Sequence, residues 1–282
     1  MSTAPPSHHF IAAITLPFLP ATLPTLAKLA GGWLRMALPD HCALCHRRAP
    51  RQICADCAHA FDADRPDAPL RCRQCAVALP SRPTYADETD SQGIGGATIC
   101  RTPPPLVCGQ CLRLQPAFDT TLTLADYVAP LDALMIRLKY HGALPFAREF
   151  GERLGNALSN CRDEAALLVP VPLAPSRLAT RGFNQAWELA RVASRRAHLP
   201  ASAHVLHRER TTAAQRRLSR DERRRNLRGA FVASDQVRGR RIVLIDDVMT
   251  TGATCDAAAA ALKRAGAAHV IAAVALRTPL TS

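Results

Sequence analysis

The stretch from Arg241 to Asp256, RIVLIDDVMTTGATCD, restricts the fold more than any other part of the chain. Ile242, Val243, Leu244 and Ile245 form an apolar run without alternation. Such a run suits a strand buried on both faces, as in a parallel sheet flanked by helices. Two acids, Asp246 and Asp247, follow at once. Then come Thr250, Thr251, Gly252, Ala253 and Thr254, and after them an alanine-rich segment. Open α/β sheets bind ligands at the carboxyl ends of their strands. A small loop of hydroxyl residues and glycine, entering a helix, can turn its backbone N–H groups around a phosphate. Carboxylates beside such a cradle are costly to desolvate without a partner. Together they call for a ligand with a phosphate and vicinal hydroxyls, a ribose phosphate. No Gly-Lys-Ser or Gly-Lys-Thr follows, so the loop is not a P-loop.

This run resembles the phosphoribosyl-pyrophosphate (PRPP) motif of type I phosphoribosyltransferases. The resemblance implies that Asp246 and Asp247 meet the ribose hydroxyls, directly or through Mg²⁺, and form the catalytic pair of a working transferase. It implies that Thr250, Thr251, Gly252, Ala253 and Thr254 hold the 5′-phosphate.

Eight of the 11 cysteines form four Cys-x-x-Cys pairs: Cys42/Cys45, Cys54/Cys57, Cys72/Cys75 and Cys108/Cys111. Each pair presents two thiolates to one tetrahedral ion, so four pairs make two Cys₄ zinc sites. Sequential pairing is the simplest arrangement; spacing alone also admits an interleaved one. Closed Cys₄ sites are structural, since they fold segments too small to have their own core. His41, His46 and His59 are surplus to a full thiolate set and read as surface residues. Residues 80–105 read as a long loop within the second ribbon.

From residue 118 strand and helix patterns alternate, as in a parallel α/β sheet. Strands are expected at 121–128, 165–171, 204–207, 241–245 and 269–276. Helices are expected at 131–140, 145–158, 183–197 and 254–265. The domain division is a leader at 1–38 (disordered or with a short helix), a double zinc ribbon at 39–115, and an α/β domain at 118–280. The leader is apolar in part, but Pro17, Pro20 and Pro24 interrupt it and Lys28 and Arg35 charge it. It fits neither a signal peptide nor a membrane span, and a cytoplasmic protein is expected.

The net charge of +13 is uneven. Between Arg177 and Arg241 there are seventeen arginines, no lysine and five acids. Phosphates and nucleic acids are natural partners of such a region. Arg181, before Gly182, reads as an anion-binding residue. Arg217, Arg223, Arg224 and Arg225 lie in a polar run too long for an ordinary connection, and read as nucleic-acid contacts.

The ordered set of motifs is similar to the ComF family, over roughly residues 42–278. It comprises the four cysteine pairs, Ala125-Asp126-Tyr127, Leu138-Lys139-Tyr140, Pro170-Val171-Pro172, Arg181-Gly182-Phe183-Asn184-Gln185, and Thr212, Gln215, Arg223, Asn226 and Phe231 in order. The resemblance implies a type I phosphoribosyltransferase-like sheet behind an N-terminal double zinc ribbon. It implies a role in natural competence or use of external DNA, with single-stranded DNA and a competence helicase as partners. An active Mg²⁺-dependent phosphoribosyltransferase and a non-catalytic PRPP or nucleotide sensor are the alternatives. The turn Val171-Pro172-Leu173 lacks the Gly-rich pyrophosphate loop of working transferases, which favours binding over catalysis.

Overall fold

The unbroken apolar runs at 166–169, 242–245 and 270–276 are buried along their whole length, as strands covered on both faces must be. A computed structural model describes residues 41–80, 106–159, 166–209, 227 and 229–279. These residues belong to one compact unit. The leader and most of the Arg-dense run, with Arg217, Arg223, Arg224 and Arg225, lie outside the described residues.

In chain order the helices are α1 (Ala55–Ala60), α2 (Gly109–Leu114), α3 (Leu131–His141), α4 (Leu144–Leu158), α5 (Pro175–Arg181), α6 (Gln185–Ala197) and α7 (Ala253–Arg264). The strands are β1 (Thr120–Asp126), β2 (Ala166–Pro170), β3 (Leu206–Arg208), β4 (Phe231–Ala233), β5 (Arg241–Met249) and β6 (His269–Arg277). Four of them make a parallel sheet in the order β1-β6-β5-β2. Alternate strand residues feed two cores. Leu244, Val169 and Val270 pack with α7 on one face. Val243, Ile245 and Leu168 pack with α3, α4 and α6 on the other.

Two strand expectations are corrected. The strand expected at 241–245 runs on to Met249, because β6 offers matching partners as far as Arg277. Asp246 and Asp247 therefore lie within β5. The strand expected at 204–207 is β3, and it is not part of the parallel sheet. It pairs antiparallel with β4, Arg208 opposite Phe231. That hairpin holds the two ends of the intervening Arg-dense run side by side.

The cysteine pairs fall into two clusters with sequential pairing, Cys42/Cys45/Cys54/Cys57 and Cys72/Cys75/Cys108/Cys111. The ribbons repeat one plan. The first pair of each closes a tight hairpin, with Cys42 N–H donating to Arg47 O and Cys72 N–H to Val77 O. The second pair opens a short helix, with Cys54 Sγ capping α1 and Cys108 Sγ capping α2. His41, His46 and His59 are exposed. Both ribbons dock along the outer edge of β1. Ala63 N–H donates to Leu124 O at 2.8 Å, and Thr121 N–H donates to Arg73 O at 3.3 Å. Arg71 grips Asp126 with two bonds of 2.9 and 3.1 Å. Far from being a separate core, the second ribbon places Cys72, Cys75, Val77, Cys108 and Cys111 in the α7-side core.

On the other face α4 and α6 meet through two glycines. A Cβ on Gly155 would stand 2.6 Å from Arg196 Cβ and 2.9 Å from Ala193 O. Gly155→Ala should therefore destabilise the fold although alanine gains about 1 kcal/mol in helix propensity. Overpacking costs about 1–3 kcal/mol, so a lowered urea midpoint is expected. An unchanged or raised midpoint would show that the helices separate at no cost.

Candidate ribose-phosphate site and metal centres

Successive strand residues face opposite sides of a sheet, and the acid pair divides accordingly. Asp246 meets α7, with Cys255 Sγ 3.9 Å from its Oδ2. Asp247 meets α3, where Lys139 Nζ lies 3.1 Å from its Oδ1. The N–H of Asp247 also donates to Asp246 Oδ1 at 2.9 Å. Burial, and then the neighbouring Asp247 charge, push the Asp246 carboxyl up to about 7; the Asp247 N–H and Lys139 oppose this. Burial, followed by the Asp246 charge, raises the Cys255 thiol well above its ordinary range.

Beyond Met249 the chain turns through Thr250 and Thr251 to Gly252, whose φ of +79° is a left-handed conformation glycine adopts without strain. Gly252 caps α7, which begins at Ala253. Thr251 Oγ1 accepts from Ala253 N–H at 3.3 Å. Thr254 sits in the first turn of α7. The predicted phosphate residues are thus one continuous loop and helix start, separated from the acids by two residues.

The underside of this loop is tied down by Arg277, the last residue of β6 and only 3% exposed. Its Nη1 donates to Met249 O at 3.0 Å, to Thr278 O at 2.8 Å, and to Thr250 O. Its Nε donates to Cys75 O, in the second ribbon, at 2.7 Å. Asp256 Oδ1, in the first turn of α7, accepts from Ala117 N–H at 2.8 Å.

Arg181 ends α5. It donates to Gln185 Oε1 at 3.0 Å and lies 5.2 Å over the ring of Tyr140. Tyr140 is 68% exposed and is the chain neighbour of Lys139. The contacts therefore link Asp247, Lys139, Tyr140 and Arg181 in a row. Asn184 caps α6 and donates to Val171 O at 3.1 Å, fixing the turn after β2. Arg208, at the end of β3, stacks on Phe231. Burial and the charge of Arg177 lower its pKa, which places two cations where the Arg-dense run begins.

Sequence reasoning did not assign Lys139, Cys255 or Arg277 to the site. Arg277 left a readable trace: a lone cation closing an otherwise apolar buried strand, parallel to a strand carrying two acids.

The cysteine clusters fit a tetrahedral dication. Within each cluster the ligand atoms lie within 4.8 Å of one another. Cys45 and Cys54 Sγ are 3.6 Å apart, and Cys75 and Cys108 Sγ 3.7 Å. Bonds of ~2.3 Å to zinc imply about 3.8 Å between sulfurs. Backbone N–H groups aim at the sulfurs, Cys54 to Cys42 and Cys108 to Cys72, each at 3.3 Å. Such second-shell donors stabilise bound thiolate. Without a cation the charges diverge. Burial opposes ionisation of Cys42, but backbone donors bring it down to about 6. Burial and the hydrogen bonds of its neighbours push Cys57 up to about 12. A dication lets all four ionise together.

Residues 178–281 match the family model of the phosphoribosyl transferase domain. The chain is 33% identical over 245 residues to the DNA utilization protein YhgH of Escherichia coli O157:H7, covering 83% of this chain and 96% of that protein. It is 32% identical over 171 residues to competence protein F of Haemophilus influenzae, covering 58% and 75%. It is 33% identical over 133 residues to competence protein ComFC of Bacillus subtilis, covering 47% and 53%. Among the described residues no helix is long and apolar enough to cross a membrane.

The acid pair makes stability depend on pH. Folded Asp246 holds its proton to about pH 7, whereas an ordinary aspartate ionises near 3.8. Its contribution is thus fully present below the unfolded value and is lost as pH rises from 3.8 towards 7. Asp246→Asn stays neutral throughout. The variant should be more stable than wild type at pH 8, with the difference closing towards pH 4. Urea midpoints across that range check it, and equal midpoints at pH 8 would contradict it.

Proposed function

The chain belongs to the ComF family of competence and DNA utilisation proteins, and on that premise we propose that it serves the use of external DNA in the cytoplasm. In this reading it binds a ribose phosphate of the PRPP type and single-stranded DNA. The observation that carries it is the continuous arrangement of Asp246 and Asp247 on β5 with Thr250, Thr251, Gly252, Ala253 and Thr254 at the head of α7. The carboxylates meet the ribose hydroxyls, with Mg²⁺ as the ion that neutralises them when PRPP is bound. Burial of Asp246 makes its ionisation costly, so an arriving cation has something to gain there. The loop N–H groups and the threonine hydroxyls take the 5′-phosphate. Arg181 lies at the rim for a further phosphate. Two structural Zn²⁺ ions occupy the cysteine clusters.

Phosphoribosyl transfer is the second reading. In it the acids steady the ribose and Mg²⁺ as positive charge develops at C1′, and Arg181 neutralises the leaving pyrophosphate. The turn after β2 has no Gly-rich cradle, so binding is favoured over transfer.

Calorimetric titration of the zinc-loaded protein with PRPP and Mg²⁺ tests the site. Saturable binding is expected in wild type, weakened at least tenfold in Asp246→Ala/Asp247→Ala. Absence of binding by folded wild type would refute the ribose-phosphate reading. Pyrophosphate release with a base present would move the assignment to transferase.

Contact with DNA backbone is mainly electrostatic and falls with salt. Changing Arg223, Arg224 and Arg225 to Glu should weaken single-stranded DNA binding in filter or anisotropy assays. It should also flatten the log K against log[salt] slope by about 2, at roughly 0.7 per phosphate contact. Unaltered affinity and slope would remove these arginines from the interface.

A further inference from the structure

The second cysteine centre and the phosphate loop share one anchor. Arg277 Nε donates to Cys75 O, within the metal-binding knuckle, at 2.7 Å. Its Nη1 donates to the carbonyls of Met249 and Thr250. In a trans peptide the N–H points away from the C=O of the same unit. Holding the carbonyls of Met249 and Thr250 downwards therefore turns the N–H groups of Thr250 and Thr251 away from Arg277, towards the opposite side of the loop. Those are donors a phosphate needs.

Two other contacts join the same parts. Asp256, in the first turn of α7, accepts from Ala117 N–H just beyond α2. The ring of Phe118, 1% exposed, lies 3.8 Å from where a Cβ on Gly252 would stand. Gln74, between the knuckle cysteines, donates to Pro116 O at 3.2 Å and Phe118 O at 3.3 Å. Both sides of the knuckle are thereby braced against the loop. The first ribbon meets β1 and α4 through Ala63 and Arg153 instead, away from this anchor.

We propose that the Cys72/Cys75/Cys108/Cys111 metal centre and the ribose-phosphate loop form one coupled unit, with Arg277 as the positioning residue between them. Metal at this centre fixes Cys75 O, Cys75 O fixes the guanidinium, and the guanidinium presets the loop donors. Linkage is reciprocal: a ligand seated on the loop holds the metal in the second ribbon by the same factor. The first ribbon's metal stands outside this coupling. The proposal rests on the ribose-phosphate reading given above.

The test follows zinc release from the full-length, zinc-loaded protein into a chromogenic chelator, with and without PRPP and Mg²⁺, and with Mg²⁺ alone as control. Parallel calorimetry measures PRPP affinity. In wild type, saturating PRPP should slow one of two release phases and leave the other unchanged, and competition against the chelator at equilibrium should show that zinc held at least fivefold more tightly, the lower end of ordinary coupling. Arg277→Lys keeps the charge but cannot fork between Cys75 O and the loop carbonyls. It should bind PRPP at least fivefold more weakly and lose the protection of zinc by PRPP. PRPP binding to wild type with neither phase slowed would overturn the coupling and leave the ribose-phosphate reading standing. No PRPP binding by wild type would overturn that reading itself. The wild-type arm decides even if Arg277→Lys fails to fold. Protection of zinc that persists in a folded Arg277→Lys would remove Arg277 from its role.

Discussion

A guanidinium with almost no exposure, at the end of a central strand, organises the functional end of this molecule. Arg277 lies between Asp126 of β1 and Met249 of β5 in the sheet register. Its donors go to carbonyl oxygens of two segments distant in sequence, at Cys75 and Met249, and of the adjacent Thr278. A buried charge is tolerable only when its hydrogen-bonding capacity is met. The segments that meet it are therefore held in fixed relation. The order β1-β6-β5-β2 makes this possible. It puts β6 between the edge strand on which the ribbons dock and the strand that carries the acids.

The same logic of charge in a confined place governs the other sites. Four thiols within one small cluster cannot all ionise without a dication, so each cluster could hold one on grounds of electrostatics as well as spacing. Asp246 and Asp247 are adjacent in sequence, yet their environments differ. One is pressed against a buried thiol and an apolar helix, the other is paired with Lys139. This end of the sheet therefore offers one carboxylate already balanced by a cation and one that is not.

The fold was legible where the sequence repeats a physical period. The apolar runs announced the parallel strands, and the helix pattern at 131–140 announced α3, whose Leu131, Leu134, Met135 and Leu138 are buried. The cysteine pairs announced both clusters, though spacing left their partnering open. Contacts made by single polar residues across long sequence separations were not legible. Lys139 ends an amphipathic helix like many lysines, and nothing local says that it faces Asp247. The end of β5 was set by its partner β6, which a reading of residues 241–249 alone does not contain. The strand at 204–207 was read, but β4 and its antiparallel pairing with β3 were not, because a three-residue strand carries too little period.

The docking of both ribbons along β1 has a consequence for solubility. An edge strand with free N–H and C=O groups is a template for pairing with other chains. Here Ala63 N–H and Arg73 O occupy groups of that edge. Were the cysteine clusters to hold zinc, as their geometry allows, loss of the ion would loosen the segments that cover Thr120–Asp126, and one copy's edge could then extend another's sheet. The ribbons are thus edge cover as much as cysteine frameworks.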